Sequence, residues 1–309
     1  MLWLAAALFA YLLFAVNAVG DKYLLAKVVP SPLQFTFYVG ALGGLVVLLA
    51  PFFGFPLPGA QFLFTSAFSG IIFIIALGVF YKNLNVHESS RIIPAIGGLL
   101  PLLTLLLAYA VFPREPIGSA QALSLILFVA ASVVVTAQRG KRILLSLGAA
   151  FFPALLFAMY FVSLKYVYSL GPFWDGLLWA RLFGALAALA IFAFSPSVRS
   201  ELFRKKERVP EAPAETKRGG TGTFLGIQGA GATAGVLQNA AVYLAPAGAV
   251  AVVNALQGVQ FLFVQLFAFA LSARFPSVLK ESFTGIAAIQ KIAASALFLA
   301  GIVVLLAAN

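Results

Sequence analysis

Apolar blocks of about twenty residues follow one another along the chain, set apart by short stretches of proline, glycine and charge. That block length constrains the fold more than any other feature, because it is what a helix needs to cross about 30 Å of hydrocarbon. In lipid the backbone must satisfy its own hydrogen bonds, so only helices or a closed β-barrel can span. A barrel requires short segments alternating in polarity, whereas Leu102–Val111 and Leu297–Ala308 are almost continuously apolar. The blocks therefore predict an all-α membrane protein. Composition agrees: 62 % of residues are hydrophobic and 9 % charged, against roughly 25 % charged in soluble domains.

Ten spans are expected, at about 2–28, 33–53, 61–83, 86–112, 118–137, 144–169, 173–194, 223–243, 247–272 and 284–308. Most connections are short and hold turn formers, such as Pro30-Ser31-Pro32 and Pro113-Arg114-Glu115-Pro116. The stretch 195–223 differs, with eleven charges, three prolines and Gly219-Gly220-Thr221-Gly222. It reads as a flexible basic loop.

The two halves echo each other. Ala7-Leu8-Phe9-Ala10-Tyr11-Leu12-Leu13-Phe14-Ala15, with Lys22-Tyr23 beyond it, aligns with Ala150-Phe151-Phe152-Pro153-Ala154-Leu155-Leu156-Phe157-Ala158 and Lys165-Tyr166 at a constant offset of 143. Pro94-Ala95-Ile96-Gly97-Gly98 aligns with Asn254-Ala255-Leu256-Gln257-Gly258 at an offset of 160, the increase being what the long loop produces. The division is thus 1–140 and 141–309, each with five spans. Five is odd, so the second copy enters from the opposite side and the halves form an inverted repeat, a design that supports alternating access.

Sorting Lys and Arg by loop places 16 of the 20 on one side, those of loops 1–2, 3–4, 5–6, 7–8 and 9–10. The positive-inside rule then puts both termini outside. The net charge of +11 is scattered over these loops, so no nucleic-acid partner is expected. With no cysteine and one histidine, neither a metal site nor any other cofactor is expected. Gly219–Gly222 lacks the Lys-Ser/Thr of a phosphate loop, which argues against nucleotide hydrolysis.

These features resemble the drug/metabolite transporter superfamily, specifically bacterial proteins with two EamA-type repeats. The likeness rests on several points: Lys22 and Lys165 late in the first span of each half; Ser89-Ser90-Arg91-Ile92-Ile93-Pro94-Ala95 and Pro101 in the fourth; Glu115 and Glu281 ahead of the fifth and tenth; and Lys291 with Gly301-Ile302-Val303 at the close. The resemblance implies a ten-helix carrier of the prokaryotic cytoplasmic membrane that exports or exchanges amino acids or other small metabolites. It also implies a cavity lined by spans 1, 3, 4, 6, 8 and 9. Two departures stand out. Relatives usually have cytoplasmic termini, and Asn254 replaces the proline expected in the ninth span.

Buried charge in a span needs a reason. Lys22 and Lys165 either attract an anionic or zwitterionic solute or snorkel to the interface. Asn254, Gln257 and Gln260, spaced at three and again at three, lie on one helix face, and with Asn239 and Asn17 they could line the solute path. Arg181 reads as an interface anchor or as half of an ion pair whose partner is not Asp175, six residues away. His87, Glu88 and Arg91 read as a solvated helix end, with coupling to protons or a counter-solute, or gating, as the functional alternative. Gly40…Gly44 and Gly231…Gly235 have the spacing of close helix contacts. The leading expectation is a secondary transporter in a lipid bilayer with a small-molecule solute. A lipid-modifying membrane enzyme and a non-transporting assembly protein are the alternatives. No residue is assigned a catalytic role, and the oligomeric state is not legible.

Overall fold

The structure, a computed structural model, describes residues 2–25, 32–86, 89–113, 117–136, 143–203, 215–274 and 286–307. Every regular element among them is helical. In chain order these are α1 (Leu2–Leu25), α2 (Pro32–Gly43), α3 (Ala50–Phe53), α4 (Ala60–Val86), α5 (Ser89–Val111), α6 (Ser119–Thr136), α7 (Ile143–Leu170), α8 (Phe173–Phe194), α9 (Pro196–Phe203), α10 (Glu215–Leu244), α11 (Val250–Ala255), α12 (Gln257–Arg274) and α13 (Ile286–Ala307). Helix therefore occupies each of the ten apolar blocks.

Among the described residues, five segments are long and apolar enough to cross a membrane: Pro32–Phe53, Ala60–Asn83, Gly148–Leu170, Phe173–Phe194 and Ala247–Val264. At 18 to 24 residues each, they reach about 27–36 Å. Shorter apolar helices cover Leu2–Asn17, Ala95–Val111, Ser119–Val134 and Ile292–Ala307. The outer surface suits lipid. Phe64 is 77 % exposed and Leu106 68 %, within a far wider apolar surface than a soluble protein presents.

Three local expectations are corrected. The stretch 195–223 is not irregular throughout: α9 covers 196–203 and α10 begins at Glu215. Pro196 suits a first helical position, where its missing N–H costs nothing, and Ser195 Oγ accepts from Val198 N at 3.4 Å to cap the first turn. The second span is not one α-helix, because Gly44–Leu49 tightens into a 3-10 turn between α2 and α3. The ninth span breaks at Leu256, between α11 and α12.

The chain runs from end to end, and the turns after α3, α5, α7 and α10 gather at one end. Phe53 stacks on Trp174 with centroids 3.7 Å apart, and Trp179 Nε1 donates to the Pro56 carbonyl at 3.2 Å. Gln61 Nε2 donates to Tyr166 Oη at 2.9 Å, and the Phe112 and Tyr166 rings lie 6.0 Å apart. Lys165 reaches the carbonyls of Tyr243 and Ala245 at the same end.

Lateral packing follows a pattern. α1 lies on α10 and α12, while α7 lies on α4 and α5. α2 pairs with α8, α5 with α11, and α6 with α13. Small residues set the closest approaches, as expected where dispersion rather than water drives association. A Cβ on Gly40 would stand 2.5 Å from Ala188 Cβ, and one on Gly44 2.5 Å from Ala185 Cβ, so the glycine spacing across the end of α2 and the 3-10 turn is a packing surface for α8. Between α6 and α13, Phe128 and Phe298 stack at 6.0 Å. Each ring also occupies the space a side chain would need on Gly301 and Gly258, respectively.

Candidate functional site

The site begins with Arg181, close to the middle of α8. A guanidinium at that depth must find compensation. Its carbon sits 5.2 Å from the centre of the Phe73 ring, a cation–π contact of about 0.5–2 kcal/mol. No ion pair to Arg181 is present among the described residues. Among acids with described side chains there is only Asp175, in the first turn of the same helix, and no ion pair joins it to Arg181.

Around the guanidinium lies a narrow cleft lined by α2, α4, α7, α8 and α10, with Gly40, Gly43, Gly70 and Gly184 in its walls. The space is drawn out thinly and takes about one water in this conformation. Tyr160 and Asn239 supply its neutral polar groups. Asn239 is 2 % exposed; its Nδ2 donates to the Gly235 carbonyl at 2.7 Å and its Oδ1 accepts from Tyr168 Oη at 2.9 Å. Phe73 packs on Tyr160 at 4.7 Å, which steadies the cation–π ring. A larger hollow of about 360 Å³ between α4, α5 and α7 is walled by Phe68, Leu107, Val111, Met159 and Val162, and is an apolar groove open to the outside.

One wall of the cleft is shut tightly. A Cβ on Gly70 of α4 would lie 2.3 Å from the Ala180 carbonyl oxygen and 2.6 Å from Gly184 N, so the two helices touch backbone to backbone. Ser66 and Ser69, on the same helix, have buried hydroxyls without a hydrogen-bond partner. Each such group costs about 1–3 kcal/mol. The facing wall is looser, since α2 and α10 share no extensive contact.

A second polar region surrounds the break in the ninth span. Tyr11 Oη donates to the Val253 carbonyl at 2.8 Å and accepts from Gln238 Nε2 at 3.2 Å. Val253 lies in the last turn of α11, where carbonyls lose their helical partners, so the tyrosine satisfies one of them. Asn254 Nδ2 donates to Thr104 Oγ1 at 3.0 Å, and Asn254 Oδ1 is buried without a partner.

No family model matches the sequence, and no curated protein matches it. In three dimensions the chain is similar to a solved structure described as "Crystal structure of protein". The two share 18 % identity and a TM-score of 0.61, over 97 % of this chain and 96 % of that one. The likeness shows the fold.

The residues expected from sequence to line one path are divided among different neighbours. Asn254 turns to α5, whereas Gln260 Nε2 donates to the Phe14 carbonyl of α1 at 3.3 Å. The break at Leu256 is why Asn254, Gln257 and Gln260 do not form one stripe. Gln257 opens α12 and is partly buried. Asn17 lies against Gly231 of α10. Lys165 lies at the end of α10 on the Tyr243 and Ala245 carbonyls, where a cation complements the helix dipole. The side chains of Lys22 and Arg91 fall outside the described residues, as do His87 and Glu88 entirely. Sequence reading gave no role to Tyr11, Thr104 or Tyr168, because a lone hydroxyl in an apolar run carries no periodic signal.

Proposed function

We propose that this chain is an EamA-type secondary transporter of the drug/metabolite transporter superfamily. It crosses the membrane ten times as two inverted five-helix repeats, and moves a small polar metabolite by alternating access. The observation that carries the reading is the exchange pattern of helix contacts. Swapping the halves, so that α1 takes the place of α7 and α4 that of α10, turns the α1–α10 contact into α7–α4. The same swap turns α1–α12 into α7–α5. The α2–α8, α5–α11 and α6–α13 contacts map onto themselves. A two-fold relation between halves produces this pattern, and the constant offset of 143 between the first spans of each half supports it independently.

The exchange is inexact at several contacts, and one of these differences supports transport. α4 is locked on α8, while its counterpart, α10 against α2, is not. Two equivalent seams in different states describe a carrier closed on one side of its cleft. Rocking the halves would exchange the seams.

The test is flux. Purified protein in liposomes is expected to give saturable uptake of at least one amino acid, organic acid, sugar phosphate or nucleotide sugar, driven by a proton gradient, by counter-solute or downhill. Conversion of added lipid without flux points to the membrane enzyme. Neither activity, in well-folded protein, points to an assembly role.

A further inference from the structure

We infer that Arg181 anchors the carboxylate of the transported solute, in an anion subsite where α2, α8 and α10 meet. The inference rests on the transporter reading and gives it a substrate class. Three observations combine. First, the guanidinium is partly buried near mid-helix and is faced by Phe73, with no carboxylate among the described residues to neutralise it. Second, the tips of its fork point at glycines. A Cβ on Gly43 would stand 3.6 Å from Nη1, and one on Gly235 3.5 Å from Nη2. Bare backbone from α2 and α10 thus brackets the two nitrogens that bind a carboxylate side by side. Third, these glycines belong to the two helices that are not packed together, so the fork faces the looser seam.

The chemistry selects the ligand. One guanidinium balances one negative charge, and the other residues lining the cleft are uncharged. A monocarboxylate is neutralised there, whereas a dianionic phosphate retains an uncompensated charge at membrane depth. Lys165, the other cation expected to attract an anion, has its ammonium on the backbone carbonyls of Tyr243 and Ala245. Asn239 is held by Tyr168 and Gly235 with its amide on the cleft wall, placed to meet the polar remainder of a small solute. Binding widens the thin cleft at the seam between α2 and α10, where packing resists least.

The experiment uses the full-length protein, purified for thermal shift and reconstituted for flux. The probes are alanine, lactate and pyruvate, their primary amides, which lack the carboxylate, and inorganic phosphate. Carboxylates are expected to raise the melting point and to be transported, with amides and phosphate inert. Arg181→Gln should lower carboxylate affinity by about tenfold or more, and Arg181→Lys should restore part of it. If Arg181→Gln does not fold, Gly43→Ala decides. Its methyl fits at ordinary contact distance from Nη1 and takes space beside the fork that a carboxylate needs, so it should weaken carboxylate binding while the ligand-free melting point stays near wild type. Wild-type carboxylate affinity in Arg181→Gln or Gly43→Ala overturns the assignment, as does equal response to the amides or stabilisation by phosphate alone. Flux of neutral or cationic solutes only, unaffected at Arg181, removes the anchor and leaves the carrier standing. Arg181-dependent carboxylate binding without flux of any solute does the reverse.

Discussion

Tyr11 and Lys165 perform one task at two helix ends, each donating to carbonyls that a terminating helix leaves without N–H partners. Replacing Tyr11 by Phe leaves the Val253 carbonyl and the Gln238 amide short of a partner. It should cost about 1–2 kcal/mol, read as a lower melting point. Lys165→Met should likewise lower the melting point while leaving solute affinity within about twofold, since its ammonium is committed to the end of α10. A large affinity loss in that variant would restore the lysine to the solute path. Arg181 was visible in the sequence as a buried charge, but its neighbours were not. The ring below it comes from α4, and the glycines at its fork come from α2 and α10. No spacing within α8 could reveal them.

Helix contacts here are set by the residues that are smallest. Gly70 admits no side chain because the atoms it would meet are the backbone of α8, which cannot rotate away. Gly70→Ala should therefore destabilise the protein by about 1–3 kcal/mol or hold α4 away from α8. Gly98→Ala is the control, since its new methyl would stand 3.8 Å from Ser132 Cβ. Thermal unfolding compared between the two variants checks this. The positions of the long helices were legible, because an apolar block of membrane length has little alternative. The break at Leu256 was hidden, because Val250–Ala255 and the residues after it are mostly apolar whether the helix continues or not. The helix at 196–203 was hidden for the opposite reason: high charge masked the proline and serine that start it.

For the molecule as a whole, the lysine and arginine distribution gives a testable orientation, and the absence of cysteine makes the test clean. With the termini outside, a cysteine placed at Gly59 should react with an impermeant thiol reagent in intact cells. One placed at Ser200 should react only after permeabilisation, and the opposite result reverses the topology. By itself the sequence determined that the chain is helical, where its long helices run and how apolar their surfaces are. Those properties follow from block length and backbone hydrogen bonding in lipid, which act locally. Tertiary structure alone decided which helices touch backbone to backbone, which carbonyls the polar side chains satisfy, and that Arg181 faces glycines and an aromatic ring. Each of these joins residues from helices far apart in sequence, and in an almost uniformly apolar chain many pairings have similar energy until shape complementarity chooses among them.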